Sequence, residues 1–151
     1  WAPSCFGEEP WRYVYATKDD GEKRAALEGL LAEGNAWAKN ASLLVLSFAK
    51  KTFARNGKPN DYAMHDLGCA SGFLVLQATH MNLVSHQMAG FAADKANAVL
   101  GVPADFAPGS MIAIGYPGDI TKMDESSQKR DASPRNRKPL ETIAMRGSWK
   151  A

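Results

Sequence analysis

The sequence predicts an α+β protein with a single domain over residues 1–151 and a mixed or antiparallel central sheet flanked by helices. Residues 43–49 and 110–116 form two short apolar runs, which are typical of central strands buried on both faces. Residues 60–83 form a longer apolar stretch, which predicts one central helix. Because these elements do not follow the repeated strand–helix–strand order of a parallel sheet, the pattern favours the α+β class.

Length and composition narrow the class of protein. The chain has 151 residues, of which 45% are hydrophobic and 23% are charged, and this is enough for one domain with its own core. The net charge of +2 is too small to indicate nucleic acid or a membrane surface as a partner. No apolar run reaches the length of about 20 residues that a membrane-spanning helix needs.

Cysteines and histidines give no sign of a metal site. Cys5 and Cys69 lie far apart in the sequence, and we interpret them as reduced thiols of a cytoplasmic protein, with a single disulfide as the alternative. His65, His80 and His86 lack matched Cys or Asp ligands. We therefore expect no metal ligands in this chain.

The first third of the chain predicts a loop, a strand and helical segments. Prolines and a glycine make residues 1–11 a loop, and β-branched and aromatic residues make 12–16 a strand. Leucines and alanines at helical spacing predict an amphipathic helix over 22–31. Residues 36–40 are expected to form another helical turn.

The last part of the chain predicts shorter elements. Residues 84–88 are a strand candidate, and 94–100 are a helix candidate that ends at Gly101. The polar, charged and proline-containing stretch 120–139 predicts a long loop. Residues 140–145 are expected to form a final strand or an extended arm.

The predicted helix over 60–83 has unusual features. Asn60 is expected to cap it, and its second half is apolar on every side, so the helix should be buried all round. Gly68 and Gly72 lie four residues apart on one face, although each costs about 1 kcal/mol relative to alanine. Another backbone or a flat ligand should approach this face, and spacing alone favours a tight helix–helix crossing. Together with Trp149 near the end of the chain, these features predict a homodimer.

Two short stretches have features of ligand binding. Arg135, Arg137 and Lys138 crowd a proline-flanked segment, and guanidinium groups match phosphate oxygens, although a solvated basic loop is the alternative. The Met88-Ala89-Gly90 turn offers backbone N–H groups to a planar heterocycle, although Gly90 alone indicates only a turn.

Six short motifs in a fixed order resemble the FMN-dependent nitroreductase family and together span nearly the whole chain. No single motif is specific, but their order is. The motifs are Ala2-Pro3-Ser4 with Pro10-Trp11-Arg12, Trp37-Ala38-Lys39-Asn40-Ala41, His65-Asp66-Leu67-Gly68 with Leu76-Gln77-Ala78, His86-Gln87-Met88-Ala89-Gly90-Phe91, Ile114-Gly115-Tyr116-Pro117-Gly118, and Arg135-Asn136-Arg137-Lys138-Pro139-Leu140.

The resemblance implies a fold and an activity. It implies a nitroreductase-like α+β homodimer, with FMN at the dimer interface and C-terminal arms that embrace the partner. It also implies a ping-pong cycle in which NADH or NADPH reduces the flavin, and a nitroaromatic, quinone or similar acceptor then takes the electrons. Since the flavin supplies the chemistry, no catalytic side chain is expected.

The resemblance also implies which residues bind the cofactor. A loop from one subunit should contact the flavin, the end of a strand should lie along its ring, and a basic segment should hold its phosphate. Asn35 should reach the ring edge. The loop residues are Pro3, Ser4, Cys5 and Gly7. The residues along the ring are Gln87, Met88, Ala89 and Gly90, and the residues that hold the phosphate are Arg135, Arg137 and Lys138.

The sequence departs from the family pattern in four places, one of which is the long helix, where the Gly72 region replaces an asparagine or similar polar group. Gly7 stands where the family usually has Asn, and Glu9 stands where it usually has Gln, so a carboxylate replaces a neutral amide. The basic N-terminal segment that supplies further phosphate ligands in the family is expected to be missing. These departures leave open a flavin-binding or flavin-free dimeric module without turnover. A dehalogenating or flavin-cannibalising relative is a third alternative at the level of the fold.

Overall fold

The structure is a computed structural model, and it describes residues 1–149. The chain divides into two compact units, Trp1–Pro117 and Gly118–Ala151. The first unit contains the sheet and the long helix, and the second contains short helical segments. The single domain expected over 1–151 stays a prediction.

Four strands form one sheet in the first unit, and every pairing is antiparallel. This arrangement confirms the α+β class and resolves the expected mixed or antiparallel sheet as antiparallel. The strand order is β1-β2-β4-β3, with β1 at Trp11–Thr17, β2 at Leu43–Lys50, β3 at Val84–Met88 and β4 at Phe106–Gly115.

The two apolar runs are the central strands, as predicted. β2 is buried along nearly its whole length, and β4 pairs with β2 on one side and with β3 on the other. β4 begins at Phe106, four residues before the predicted start at 110. Pro108 and Gly109 argued against a strand in this part of the sequence, because proline and glycine are normally depleted in strands and occur there at bulges.

Three helices cover the sheet in the first unit. They are α1 at Glu22–Gly29, α2 at Ala63–His80 and α3 at Ala93–Leu100. On one face of the sheet, Leu46, Phe48 and Met111 pack with Leu27 of α1 and Ala96 of α3. Side chains of β2 and β4 that point to the other face pack against α2. Burial of each large core side chain contributes about 1.5–3 kcal/mol. No helix in the described residues is long and apolar enough to cross a membrane.

The expectation that the long helix is buried on all sides is wrong within one chain. Leu67 and Ala78 of α2 face the sheet, but Phe73 is 50% exposed and Leu76 is 68% exposed. A Cβ atom added at Gly72 would have nothing within 4 Å. The sheet covers only one side of the helix, so an apolar face of α2 is left open. The helix is also shorter than the predicted 60–83.

The second unit contains more helix than the sequence predicted. The expected loop over 120–139 includes a helix, α4 at Glu125–Asp131, which follows a short 3₁₀ segment at Ile120–Lys122. Asp124 caps α4 by accepting the N–H of Ser127. An aspartate is a common helix start signal, but in this polar stretch the composition predicted a loop. A strand over 140–145 is also wrong, because Leu140–Thr142 is a 3₁₀ turn.

Arg24 connects α1 with the segment before β2 and is only 4% exposed. Its guanidinium donates to the carbonyl of Lys39 at 3.0 Å and to the carbonyl of Ala41 at 2.9 Å, and it pairs with Glu28 at 2.6 Å. A buried arginine is tolerated only when its donors are satisfied. Arg24 thereby fixes the chain between α1 and β2.

Replacing Arg24 should destabilise the fold. Arg24→Met should lower the free energy of unfolding by about 3 kcal/mol, because two carbonyls lose a charged donor and Glu28 loses its partner. Chemical denaturation measures this change. Lys23→Met, at the exposed neighbouring position, is the matched control and should change it little. An equal loss in both variants would contradict the role assigned to Arg24.

Candidate functional site

The first part of the candidate site is the loop that precedes β1. Phe6, Gly7 and Glu9 all have backbone φ angles in the left-handed region, at 54°, 67° and 47°. Such conformations cost about 1–3 kcal/mol at residues other than glycine and are concentrated at functional sites. The strain therefore makes this loop a candidate binding segment. At Gly7, both glycine and the asparagine usual in the family tolerate the left-handed conformation.

Hydrogen bonds within the loop and to the body of the first unit hold this strained loop in place. The N–H of Cys5 donates to Oδ2 of Asp66 at 2.8 Å, and the N–H of Glu9 donates to the Ser4 hydroxyl at 3.1 Å. On the far side, the carboxylate of Glu8 accepts the N–H of Ala54 at 2.7 Å. The loop is thus attached at both of its ends.

Asp66 is the residue that attaches the loop to α2. Its side chain is buried, with 2% of the residue exposed, and its second oxygen lies 3.3 Å from Nδ1 of His65. A buried carboxylate is costly unless it accepts hydrogen bonds, and the N–H of Cys5 supplies one. Sequence reasoning placed Asp66 in a family motif but gave it no role. The available signal was a single acidic residue within an otherwise apolar helix.

The aromatic ring of Phe6 lies outside the protein core. Phe6 is 72% exposed, and the guanidinium carbon of Arg55 lies 3.7 Å from the centre of its ring. Phe53 meets the same ring edge to face at 6.0 Å. A cation–π contact of this kind holds the ring in place without burying it. The loop therefore presents a fixed aromatic surface to solvent.

The second part of the candidate site is the end of β3. Asn35 was expected at the edge of a bound ring, and its Nδ2 donates to the carbonyl of Gly90 at 2.9 Å. The N–H of Ala32 donates to the same carbonyl at 3.0 Å. A Cβ atom added at Gly90 would lie 2.5 Å from Nδ2 of Asn35. The turn after β3 is therefore fixed, and Gly90 is required for the close approach of Asn35.

The turn after β3 presents unpaired backbone donors. Among the described residues, the N–H groups of Ala89 and Gly90 have no hydrogen-bond acceptor. Met88 is 4% exposed and packs in the core, so its side chain does not reach this surface. The side chain of Gln87 is exposed beside the turn. This surface suits a planar ligand whose edge has hydrogen-bond acceptors.

Contacts with α2 bring the loop before β1 and the first half of β4 toward the same half of this helix. Leu67 packs against Gly109 of β4, where an added Cβ would lie 2.5 Å from Cδ2 of Leu67. One residue earlier in α2, Asp66 holds the loop at Cys5. Further along the helix, Ser71 is hydrogen-bonded to the Tyr13 hydroxyl at 3.2 Å, and burial raises the pKa of Tyr13.

The basic residues predicted to bind phosphate lie in the second unit. Arg135, Arg137 and Lys138 are exposed, in an extended stretch between α4 and the Leu140–Thr142 turn. Within the described part of this unit, none of the three forms an ion pair with a carboxylate. Their charges are therefore available to an anionic ligand.

The predicted site residues thus fall into three groups. Ser4, Cys5 and Gly7 lie in the strained loop, where Pro3 is exposed at its start. Asn35 is joined to the turn after β3, and the three basic residues lie in the second unit. Sequence patterns indicated no role for Ser47 and Ser110, which are hydrogen-bonded to each other across β2 and β4.

Comparisons with known proteins place the chain in a family. The model of the nitroreductase family matches residues 29–116. An uncharacterized 15.4 kDa protein of Mycolicibacterium smegmatis is 37% identical over 128 residues, which cover 85% of each chain. An NADH dehydrogenase of Thermus thermophilus is 25% identical, over 95% of this chain and 78% of the relative.

A solved structure agrees with these matches. The crystal structure of an oxidoreductase containing FMN is 33% identical, with a TM-score of 0.91, and covers 99% of this chain and 77% of its own. The fold and the comparisons together define an oxidoreductase. The chain belongs to the nitroreductase family, which confirms the resemblance inferred from the six motifs.

Removing the Asp66 carboxylate should release the strained loop. In Asp66→Ala, amide hydrogen exchange at Cys5 should accelerate about tenfold or more, because the N–H loses its charged acceptor. Hydrogen exchange followed by NMR measures this rate. Asp66→Asn keeps a side-chain oxygen that accepts the bond, so it should preserve most of the protection. Unchanged exchange in Asp66→Ala would show that other contacts hold the loop.

Proposed function

We propose that the protein is an FMN-dependent oxidoreductase. NADH or NADPH is the electron donor, and a nitroaromatic, a quinone or a similar aromatic compound is the acceptor, in a ping-pong cycle. Family membership and the 33% identity to an oxidoreductase containing FMN support this proposal. The observation that argues for it most directly is the pair of unpaired N–H groups at Ala89 and Gly90.

The residues at the end of β3 fit a flavin. The isoalloxazine ring is planar and has nitrogen and oxygen acceptors along one edge, and the N–H groups of Ala89 and Gly90 are donors without partners in the described chain. Gly90 has no side chain, so a flat ring can approach its backbone closely. When bound, the flavin supplies the transfer of electrons between donor and acceptor. The chain's own residues bind the ring, orient it and favour its electron-rich state.

The other predicted residues complete the binding site in this proposal. Ser4 and Cys5 contact the flavin through the strained loop, which Asp66 holds in position. Gly7 allows the left-handed turn but contributes no side chain to the cofactor. The basic segment that ends at Lys138 binds the phosphate, since arginine and lysine without acidic partners favour that anion.

The phosphate contact is tested by comparing two flavins. Arg137→Ala should weaken FMN binding about tenfold, because a charge-assisted hydrogen bond is lost, and should leave riboflavin binding nearly unchanged. Quenching of flavin fluorescence measures both affinities. Lys122→Ala, another cation of the second unit, is the matched control and should affect neither. Equal weakening of FMN and riboflavin by Arg137→Ala would argue against a phosphate contact.

The open apolar face of α2 supports a homodimer. Met64, Phe73 and Leu76 are each at least half exposed on this helix. Added Cβ atoms at Gly68 and Gly72 would meet nothing within 4 Å, so the face is free to accept another backbone. An exposed apolar face of this kind is typical of an interface between subunits. We propose that a second copy of the chain covers it.

A charge on this face should weaken the dimer. Leu76→Glu should raise the dissociation constant of the dimer about tenfold or more, because a carboxylate would be buried in an apolar interface. Light scattering after size exclusion measures the change. Val99→Glu is the control, because Val99 is 48% exposed but lies on α3. A monomeric wild-type protein at micromolar concentration would contradict the proposed interface.

A second candidate is a flavin-binding module without turnover. Glu9 favours it, since a carboxylate in the loop should disfavour a nearby anionic reduced flavin. The two functions differ in one measurement. An active oxidoreductase oxidises NADH or NADPH continuously when FMN and a quinone are present, whereas the module binds FMN without this reaction.

A further inference from the structure

A hydrogen-bonded chain of three polar side chains connects the core of the sheet to the proposed flavin site. We propose that Ser110 is a positioning residue that orients Gln87, and that Ser47 fixes Ser110 in the position this requires. The inference rests on the proposed function, because it concerns how the protein holds FMN. Neither serine is expected to touch the cofactor.

This series of hydrogen bonds begins at an irregularity in the pairing of β2 with β4. Leu46 pairs with Met111 and Phe48 pairs with Pro108, so Ser47 alone lies opposite two residues of β4. This is a β-bulge, a feature that redirects side chains and is frequent near active sites. The ladder of backbone hydrogen bonds is interrupted at this point, within the buried centre of the sheet.

The Ser47 hydroxyl replaces the missing backbone partner. It accepts the N–H of Ser110 at 2.9 Å and donates to the carbonyl of Ser110 at 2.9 Å. Ser47 is fully buried, so water does not compete for these bonds. Gly109 is also required, because an added Cβ would lie 2.7 Å from the Ser47 hydroxyl and 2.5 Å from Cδ2 of Leu67. The backbone of Ser110 is therefore fixed at both its N–H and its carbonyl.

The side chain of Ser110 connects this fixed backbone to β3, which lies at one edge of the sheet. Its hydroxyl donates to Oε1 of Gln87 at 3.0 Å. Gln87 pairs with Ile112 across β3 and β4, so the two side chains point to the same face of the sheet as α2. Because Oε1 is occupied, the NH₂ group of Gln87 is the part of the amide that is left for another partner.

The oriented amide adds a third donor near the end of β3. Within the described residues, the NH₂ group of Gln87 has no acceptor, like the N–H groups of Ala89 and Gly90. Donors fixed in advance of binding favour the electron-rich form of a ligand more than its neutral form. Ser110 should therefore strengthen binding of FMN, and of reduced FMN in particular, by acting through Gln87.

Binding and potential measurements on single and double variants test this inference. The variants are Ser110→Ala, Gln87→Ala and the double variant, with Ser85→Ala on β3 as the matched control. Ser110→Ala should weaken FMN binding about threefold to tenfold, the range expected for one hydrogen bond. It should also lower the midpoint potential of bound FMN, by about 30 mV for each tenfold loss in preference for reduced FMN.

The double variant separates positioning from direct contact. If Ser110 acts through Gln87, the double variant should bind FMN no more weakly than Gln87→Ala alone. Ser110→Thr keeps a hydroxyl and should restore most of the affinity. Additive losses in the double variant, or an unchanged affinity and potential in Ser110→Ala, would overturn the inference and leave the proposed function intact. A wild-type protein that binds no FMN would overturn both.

Discussion

The pairing of β2 with β4 is the framework of the first unit, on which the loop before β1 and the turn after β3 depend. Both strands are buried in the middle of the sheet, and side chains of both contribute to the cores on its two faces. The bulge at Ser47 lies within this pair, so its geometry is fixed by buried strands on both sides of Ser47 along β2. Because that backbone has little freedom, the residues that depend on it are held precisely.

The loop before β1 and the turn after β3 both have irregular backbone. Each is held in place by side chains of the surrounding elements. The loop before β1 has three left-handed residues and is held by Asp66 of α2. The turn after β3 is held by Asn35, and Gln87 before it is held by Ser110. The arrangement agrees with a protein that orients a cofactor and leaves the chemistry to it.

Sequence patterns predicted the parts of the fold that depend on local composition. The apolar runs at β2 and β4 and the glycine that ends α3 had clear signals, and the six ordered motifs indicated the family. The exposed face of α2 could not be predicted, because apolar composition does not tell which neighbour covers a helix. α4 was missed because its cap at Asp124 lies in a polar stretch. Asp66, Ser47 and Ser110 were missed because their roles depend on contacts between residues 61 or 63 positions apart.

The central claim is that this chain binds FMN and passes electrons through it. The most direct test is an absorption spectrum of the purified protein after incubation with FMN and removal of free flavin, followed by anaerobic addition of NADH or NADPH. If the chain is an FMN-dependent oxidoreductase, we expect visible flavin bands that remain with the protein and bleach when the nicotinamide is added. A protein that retains no flavin would contradict the assigned cofactor, and bound flavin that does not bleach with either nicotinamide would contradict the assigned reaction.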